Sequence, residues 1–341
     1  MNAARFQNLT SNYTRLRLAV VGDLCLDRYL EIDPGKQEIS IETQLPVHNV
    51  VRVRSQPGAA GTILNNLVAL GVAEIYPVGF CGDDGEGYEL QRALRSKPGV
   101  HLDHFLQTNE RRTFTYCKPL VMEAGKAPRE LNRLDSKNWT PTPPTVQGHL
   151  VEALREIITQ VDAIILMDQV DIAETGVVTS QVLDAVRHLA AMHPRVHIIA
   201  DSRRSLRGFP PVIFKMNAAE LAALVGSDPG ADLPLIQKTA LDLARRQRQP
   251  VIVTLAERGI IGAAPPDEVH HVSSLPPRGE IDIVGAGDAV TANLAAALAA
   301  GATLREALEL AMLAASVVIH QLGTTGTATV AQIDELLPAL S

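Results

Sequence analysis

Cysteine, basic runs and long apolar runs are all scarce in this chain, and each scarcity excludes something. The 341 residues include only Cys25, Cys81 and Cys117, odd in number and unclustered. Such spacing suggests neither a disulfide framework nor a zinc site, and a reduced cytoplasm is the expected compartment. No apolar run reaches the roughly 18 residues that a bilayer span requires, so no membrane partner is expected. The opening residues, Met-Asn-Ala-Ala-Arg-Phe-Gln-Asn-Leu-Thr, lack the apolar core of a signal peptide. With 31 Lys and Arg against 38 Asp and Glu, the net charge is −7, and no Lys/Arg run is long enough to follow a phosphodiester backbone. Nucleic acid is therefore not an expected partner. No G-x-x-x-x-G-K-[ST] motif occurs, which excludes a P-loop. What is present, 46% hydrophobic and 20% charged residues, suits one large domain or a domain with an insert.

The most informative stretch is Asp282-Ile-Val-Gly-Ala-Gly-Asp288 and the Ala- and Leu-rich run that follows it to Gly301. Gly285 and Gly287 permit a tight turn with bare N–H groups facing a ligand. The run reads as a helix ending at Gly301, so its N-terminus offers an anion site. A carboxylate there can cap the helix, or it can take a proton from a hydroxyl beside a bound phosphate. On these residues alone both readings of Asp288 stay open. Val290 stands where a dinucleotide fingerprint needs its third glycine, so a Rossmann reading does not apply.

In chain order, residues 1–14 read as a loose arm or short helix, and Leu16–Gly22 as a buried strand. Asp23 and Asp27 follow its end, where open α/β sheets bind ligands; each could be a turn former, and for Asp27 the ligand reading is preferred. Segments 39–45 and 47–54 partly alternate and read as short antiparallel strands outside the main sheet. Pro57-Gly-Ala-Ala-Gly61 feeds a helix ending at Gly71, a second anion- or polyol-friendly opening whose plainer reading is close packing. Strand 75–81, a helix to Arg95 and strands within 101–135 come next, and Pro141, Pro143 and Pro144 give the best boundary signal. From 145 onward strands and helices alternate regularly, with strands 163–167, 196–200, 212–215 and 251–254. This pattern predicts an α/β fold, a doubly wound, mostly parallel sheet with helices on both faces. Asp23, Asp168, Asp201, Asn217 and Thr254 all fall at strand C-termini and would gather along one sheet edge.

Across almost its whole length the chain resembles the ribokinase-like (pfkB-type) sugar kinases. Asp282–Asp288 is similar to their specific C-terminal signature, Pro57-Gly58 to the N-terminal one, Met216-Asn-Ala-Ala-Glu220 to an N-x-x-E element, and Val253-Thr254 with Gly259 to a nucleotide-loop strand. Gly22-Asp-Leu-Cys-Leu-Asp-Arg-Tyr29, Arg133-Leu-Asp135 and Gly323-Thr324 are most similar to the bacterial heptose-7-phosphate kinases of ADP-heptose synthesis. The resemblance implies an ATP-dependent kinase with Mg²⁺ and a K⁺-type cation. Asp288 would be the base, and Gly285, Ala286 and Gly287 would hold the transferring phosphoryl group. Asp27 and Gly58 would bind sugar hydroxyls, with Asp23, Ala59, Thr62, Arg133 and Asp168 on the same side. Asn217 and Glu220 would lie by the phosphates and the Mg²⁺ water shell, Thr254, Ala256 and Gly259 by the nucleoside, and Asp282, Val284 and Gly323 at the monovalent cation. Residues 1–341 would form one kinase domain, with lid strands inserted at about 29–56 and 103–135 that pair two copies into a homodimer.

The chain also departs from the family. Ala59 replaces a usual second glycine, and Thr62 replaces an Asn that contacts sugar in many members, unless the register shifts to Asn65 or Asn66. Met167-Asp-Gln-Val-Asp-Ile172 keeps Asp168 but lacks the Lys of the heptose kinases' Ser-Asp-Tyr-x-Lys-Gly element. The nucleotidyltransferase domain of the bifunctional heptose enzymes has no counterpart in these residues. Two other readings therefore stand beside a sugar or sugar-phosphate kinase: a non-catalytic sugar- or nucleotide-binding relative, and a kinase for a nucleoside or other small alcohol.

Overall fold

The structure, a computed structural model, describes residues 1–227, 230 and 232–340. The strands are β1 (Arg17–Gly22), β2 (Leu24–Ile32), β3 (Glu38–Ile39), β4 (Pro46–Val47), β5 (Val50–Ala59), β6 (Glu74–Gly82), β7 (Phe105–Thr108), β8 (Thr115–Val121), β9 (Arg129–Glu130), β10 (Ala163–Asp168), β11 (His197–Ser202), β12 (Ile213–Asn217), β13 (Val251–Thr254), β14 (Ile260–Ala264) and β15 (Glu268–Val272). The helices are α1 (Ala3–Ser11), α2 (Ala60–Ala69), α3 (Gly85–Arg95), α4 (Pro144–Ile157), α5 (Ser180–Met192), α6 (Ala218–Val225), α7 (Leu233–Gln247), α8 (Ala286–Ala299), α9 (Leu304–Val318) and α10 (Val330–Leu336).

The main sheet runs β15-β14-β13-β12-β11-β10-β1-β6-β7. From β13 to β7 neighbours are parallel; β14 and β15 close one edge as antiparallel strands. Strands covered on both faces read as continuous apolar runs, which is why Val251–Val253 and Ile164–Leu166 are buried on either side. One face packs on α1, α2, α8, α9 and α10 through a cluster that includes Leu18, Val20, Ile165, Ile199 and Leu308. The other face, with Val21, Ile164, Leu166 and Val253, packs on α4, α5 and α7. The doubly wound α/β expectation is met.

A separate small sheet runs β5-β2-β8-β9, with β2 antiparallel to β5 but parallel to β8. Its strands begin and end outside the expected stretches: β2 starts at Leu24, and β5 runs to Ala59. Of segment 39–45 only Ile39 is in a strand, β3; residues 40–45 form a turn, because Gln44 takes a positive φ of 58° and Gln44 N–H donates to the Ser40 carbonyl. Within 103–135, β7 belongs to the main sheet beside β6. The amino-terminal segment is a helix whose Phe6 and Leu9 are buried in the core, and β15 and α10 add elements the sequence pattern did not single out.

Candidate active site

Adjacent parallel strands β13, β12, β11, β10 and β1 end in Thr254, Asn217, Asp201-Ser202, Asp168 and Gly22-Asp23. Alternate strands of an open α/β sheet leave their carboxyl ends as a crevice, and this edge collects the polar residues there. The first turn of α8 faces the same edge. Gly285, at a φ of 83°, caps α8 in the left-handed region that favours glycine. Three residues on, Asp288 lies at the mouth of the crevice. Confinement there raises its carboxyl to about 7; Lys215 opposes the rise, while Asp201 and Asp27 add to it. Asp27 of the small sheet is thus felt at the head of the helix.

The sequence reading missed Lys215. On β12, between Phe214 and Met216, its ammonium donates to Asp201 Oδ2 at 2.7 Å, and both residues are buried. Thr291 Oγ1 of α8 donates to the same oxygen at 3.2 Å. A Cβ added to Gly287 would come within 3.2 Å of Lys215 Nζ, so the ammonium lies against the glycine loop. Burial works to lower the Lys215 pKa, but Asp201, Asp288 and Glu220 hold it above the ordinary lysine value. A usable signal existed: a lysine inside the otherwise apolar strand Val212–Met216 requires a buried carboxylate partner.

On the small-sheet side, Asp27 is buried at 4% exposure, with Lys118 Nζ 3.4 Å from Oδ1. Burial raises its pKa against the opposing pull of Lys118. Gly58 lies opposite Cys25 on the paired strand, and a Cβ there would meet Asp27 Oδ2 at 2.6 Å and Cys25 Sγ at 2.9 Å. Only glycine leaves that carboxylate its place. Ala59 adopts φ 53° and ψ −119°, a conformation that strains any residue with a Cβ. Thr62 is buried in the first turn of α2. Neither nearby asparagine has a free amide nitrogen: Asn65 donates to the Pro57 carbonyl, and Asn66 to the carbonyls of Thr62 and Gly326. Arg133 stacks over the Tyr116 ring at 4.5 Å, pairs with Asp135 at 2.9 Å and reaches the field of Asp27.

Two expected ligand residues face inward instead. Asp23 accepts from the backbone N–H groups of Gln169 and Val177 at 2.9 and 2.7 Å, so both oxygens clamp the loop after β10. Asp168 is fully buried; its Oδ2 accepts from Ser202 and Arg204 at 2.8 and 2.9 Å, while Oδ1 has no partner among the described residues. Burial, and then Asp23 beside it, push Asp168 up to about 6.

At the other end, Asn217 and Glu220 form a capping box at the start of α6: Asn217 Oδ1 accepts from the Glu220 N–H and Glu220 Oε2 from the Asn217 N–H. Burial raises Glu220, which shares the surroundings of Asp201, Lys215 and Arg203. Thr254 Oγ1 points to the Met216 carbonyl at 3.4 Å. Ala256, with φ 52°, opens a short turn to Gly259, where a Cβ would meet the Val272 carbonyl at 2.0 Å. Asp282 ties two loops, accepting from Val284 N–H at 3.0 Å and Gly323 N–H at 3.3 Å. The three residues expected together are thus adjacent, and their carboxylate and carbonyl oxygens are the donor type a monovalent cation takes. Among the described residues no His/Cys/Asp/Glu group of three or more could hold a metal ion.

Comparison with known proteins agrees with this geometry. The family model described as pfkB family carbohydrate kinase matches residues 16–330. The bifunctional protein HldE of Hyphomonas neptunium is 32% identical over 99% of the chain and 66% of its own length. That of Trichlorobacter lovleyi is 30% identical over 98% and 65%. The chain thus spans about two thirds of the length of the curated relatives it matches. Among solved structures, phosphofructokinase-2 from Escherichia coli in complex with potassium superposes with a TM-score of 0.71 at 17% identity, covering 95% of this chain and 99% of that one. Ribokinase from Arabidopsis thaliana, complexed with ribose and ATP, gives 0.64 at 21% identity, covering 96% and 99%. These likenesses show a ribokinase-like fold.

Proposed function

The chain belongs to the pfkB family of carbohydrate kinases, and from that premise we propose that it is an ATP-dependent phosphotransferase acting on a hydroxyl of a sugar or sugar phosphate, with a heptose-7-phosphate-like acceptor. The observation that carries this reading is Asp288, at the head of α8 with its carboxyl near 7 and the carboxylate of Asp27 across the crevice. An acid ionising near neutrality is matched to taking a proton from an alcohol as phosphorus is attacked. Gly285, Ala286 and Gly287 lie at the positive end of a helix, which suits the charge on a transferring phosphoryl group, although the Ala286 N–H donates to the Ile283 carbonyl at 3.2 Å and would have to turn from it.

Asp27 fits a sugar hydroxyl ligand, with Gly58 leaving room beside it. Asn217 and Glu220 suit the phosphate end and the water shell of Mg²⁺, which would arrive with ATP. Thr254, Ala256 and Gly259 suit the nucleoside. Asp282, Val284 and Gly323 suit a K⁺-type ion, an assignment supported by the potassium complex of the E. coli neighbour. A phosphate on the acceptor is supported by cations on the sugar side. Arg133 and Lys137 lie over the Tyr116 ring, and Arg203 shares the field of Tyr116 and Asp288. Arg133 and Lys137 are paired with Asp135 and Asp171 at 2.9 and 2.7 Å, so an acceptor phosphate would compete with those carboxylates for them where the loop after β10 lacks the Lys of the heptose kinases. Asp23 and Asp168, buried in internal bonds, act on this reading by fixing the loop around the acceptor. The small sheet serves as a lid, and its exposed Val53, with Ile41 of the β3–β4 turn, as part of a two-fold contact.

The test is a panel of sugars, sugar phosphates and nucleosides assayed for ADP release from MgATP. Turnover with D-glycero-β-D-manno-heptose 7-phosphate or another sugar phosphate supports the proposal. Turnover confined to nucleosides moves the acceptor class, and none across the panel despite ATP binding makes this a binding relative.

A further inference from the structure

Lys215 has no role in the reading just given, yet it is the buried cation nearest the glycine loop. Its ammonium is fixed by Asp201 at 2.7 Å, and Asp201 is held from the other side by Thr291 of α8. Thr291 Oγ1 lies 3.0 Å from the Gly287 carbonyl as well and shares its one proton between the two acceptors, so the anchor is tied to the turn that presents Gly287 and Asp288. The ammonium abuts the face of Gly287, where any side chain would crowd it. A cation under the positive end of a helix is unfavourable by itself. It is tolerated here because Asp201 and Asp288 bring negative charge to the same place.

We propose that Lys215, pinned by Asp201 and Thr291 beneath the first turn of α8, is a positioning residue that serves as the buried countercharge of Asp288. The inference rests on Asp288 as proton acceptor and deepens that reading. Two carboxylates, Asp201 and Asp27, approach Asp288 and disfavour its ionised form; Lys215 from β12 and Arg203 just beyond β11 favour it, Lys215 the more strongly. Without Lys215 the ionised form of the base would be less favoured. The competing account makes Lys215 only the neutralising partner of Asp201 in the core, with no effect on Asp288 beyond folding.

Because Lys215→Met alone strands a buried Asp201, the decisive variant is Lys215→Met with Asp201→Asn, which removes both charges and keeps the volumes. The first readout is carboxyl ¹³C NMR of the full chain, with the Asp288 resonance assigned by its loss in Asp288→Asn. The wild-type midpoint is expected near 7. In the double variant the midpoint should move up, since the lysine outweighs Asp201 at this carboxyl. The second readout is ADP release with D-glycero-β-D-manno-heptose 7-phosphate. At pH 7 the rate should fall about fivefold for a midpoint one pH unit higher, and it should recover at pH 9. A folded double variant with the wild-type midpoint and rate overturns the proposal and leaves Lys215 as Asp201's partner. If the wild type phosphorylates no sugar, the proposed function fails, while the carboxyl titration still decides the place of Lys215.

Discussion

Replacing Asp288 by Asn should do two opposite things. The structure holds this carboxyl near 7 against an ordinary value of 3.8. A carboxyl whose folded-state pKa is raised binds more protons folded than unfolded between those values. Stability therefore falls as pH rises from about 4 to about 7, and the loss is complete above that. A rise from 3.8 to about 7, at ~1.4 kcal/mol per pH unit, sets an upper bound of roughly 4 kcal/mol, and water entering the crevice reduces it. Asp288→Asn removes the ionisable group, so the unliganded variant should be more stable than wild type by about 1–3 kcal/mol at pH 8. The gain should fade toward pH 4. In the same protein turnover should drop by ~10²–10⁴-fold, the usual worth of a general base, with ATP binding nearly intact. Thermal or urea unfolding at pH 4.5, 6 and 8, alongside kcat at each pH, tests both. A stability difference that is flat with pH, or an undiminished kcat, refutes the reasoning and leaves Asp288 only an acid in the first turn of α8, whose cap is Gly285.

Ala59→Gly should stabilise the protein by ~0.5–1 kcal/mol, visible as a higher Tm, because relief of the positive-φ strain exceeds the added freedom of the unfolded chain; a lower Tm contradicts it. Activity should require Mg²⁺ and be higher in K⁺ than in Na⁺, with Asp282→Asn erasing the difference; equal rates in K⁺, Na⁺ and a bulky organic cation exclude the assigned ion site. Light scattering at micromolar protein should find a dimer, because the β3–β4 hairpin and strand β5 of the small sheet expose Ile39, Ile41, Leu45, Val50 and Val53 at 44–88%. Asp at positions 41 and 53 should yield a monomer, and a dimer that persists lies elsewhere.

The sequence by itself determined whatever depends on neighbours in the chain. Alternating apolar strands and helices specified the doubly wound sheet. The spacing Gly285-Ala286-Gly287-Asp288 specified a tight turn into a helix with an acid in its first turn, because such geometry is local. Tertiary structure decided whatever depends on strands far apart in sequence. Asp23 and Asp27 look alike four residues apart, yet one is spent on the amides of Gln169 and Val177 and the other pairs with Lys118 and adds to the field at Asp288. Segments 24–32 and 115–121 became parallel partners only once the chain had folded, since nothing local sets such a register. Lys215 gained its place only when β12 settled beside β11 under α8, bringing together residues 201, 215 and 291. Burial and long-range charge gave these groups their chemistry, and both are properties of the packed molecule rather than of any one stretch of chain.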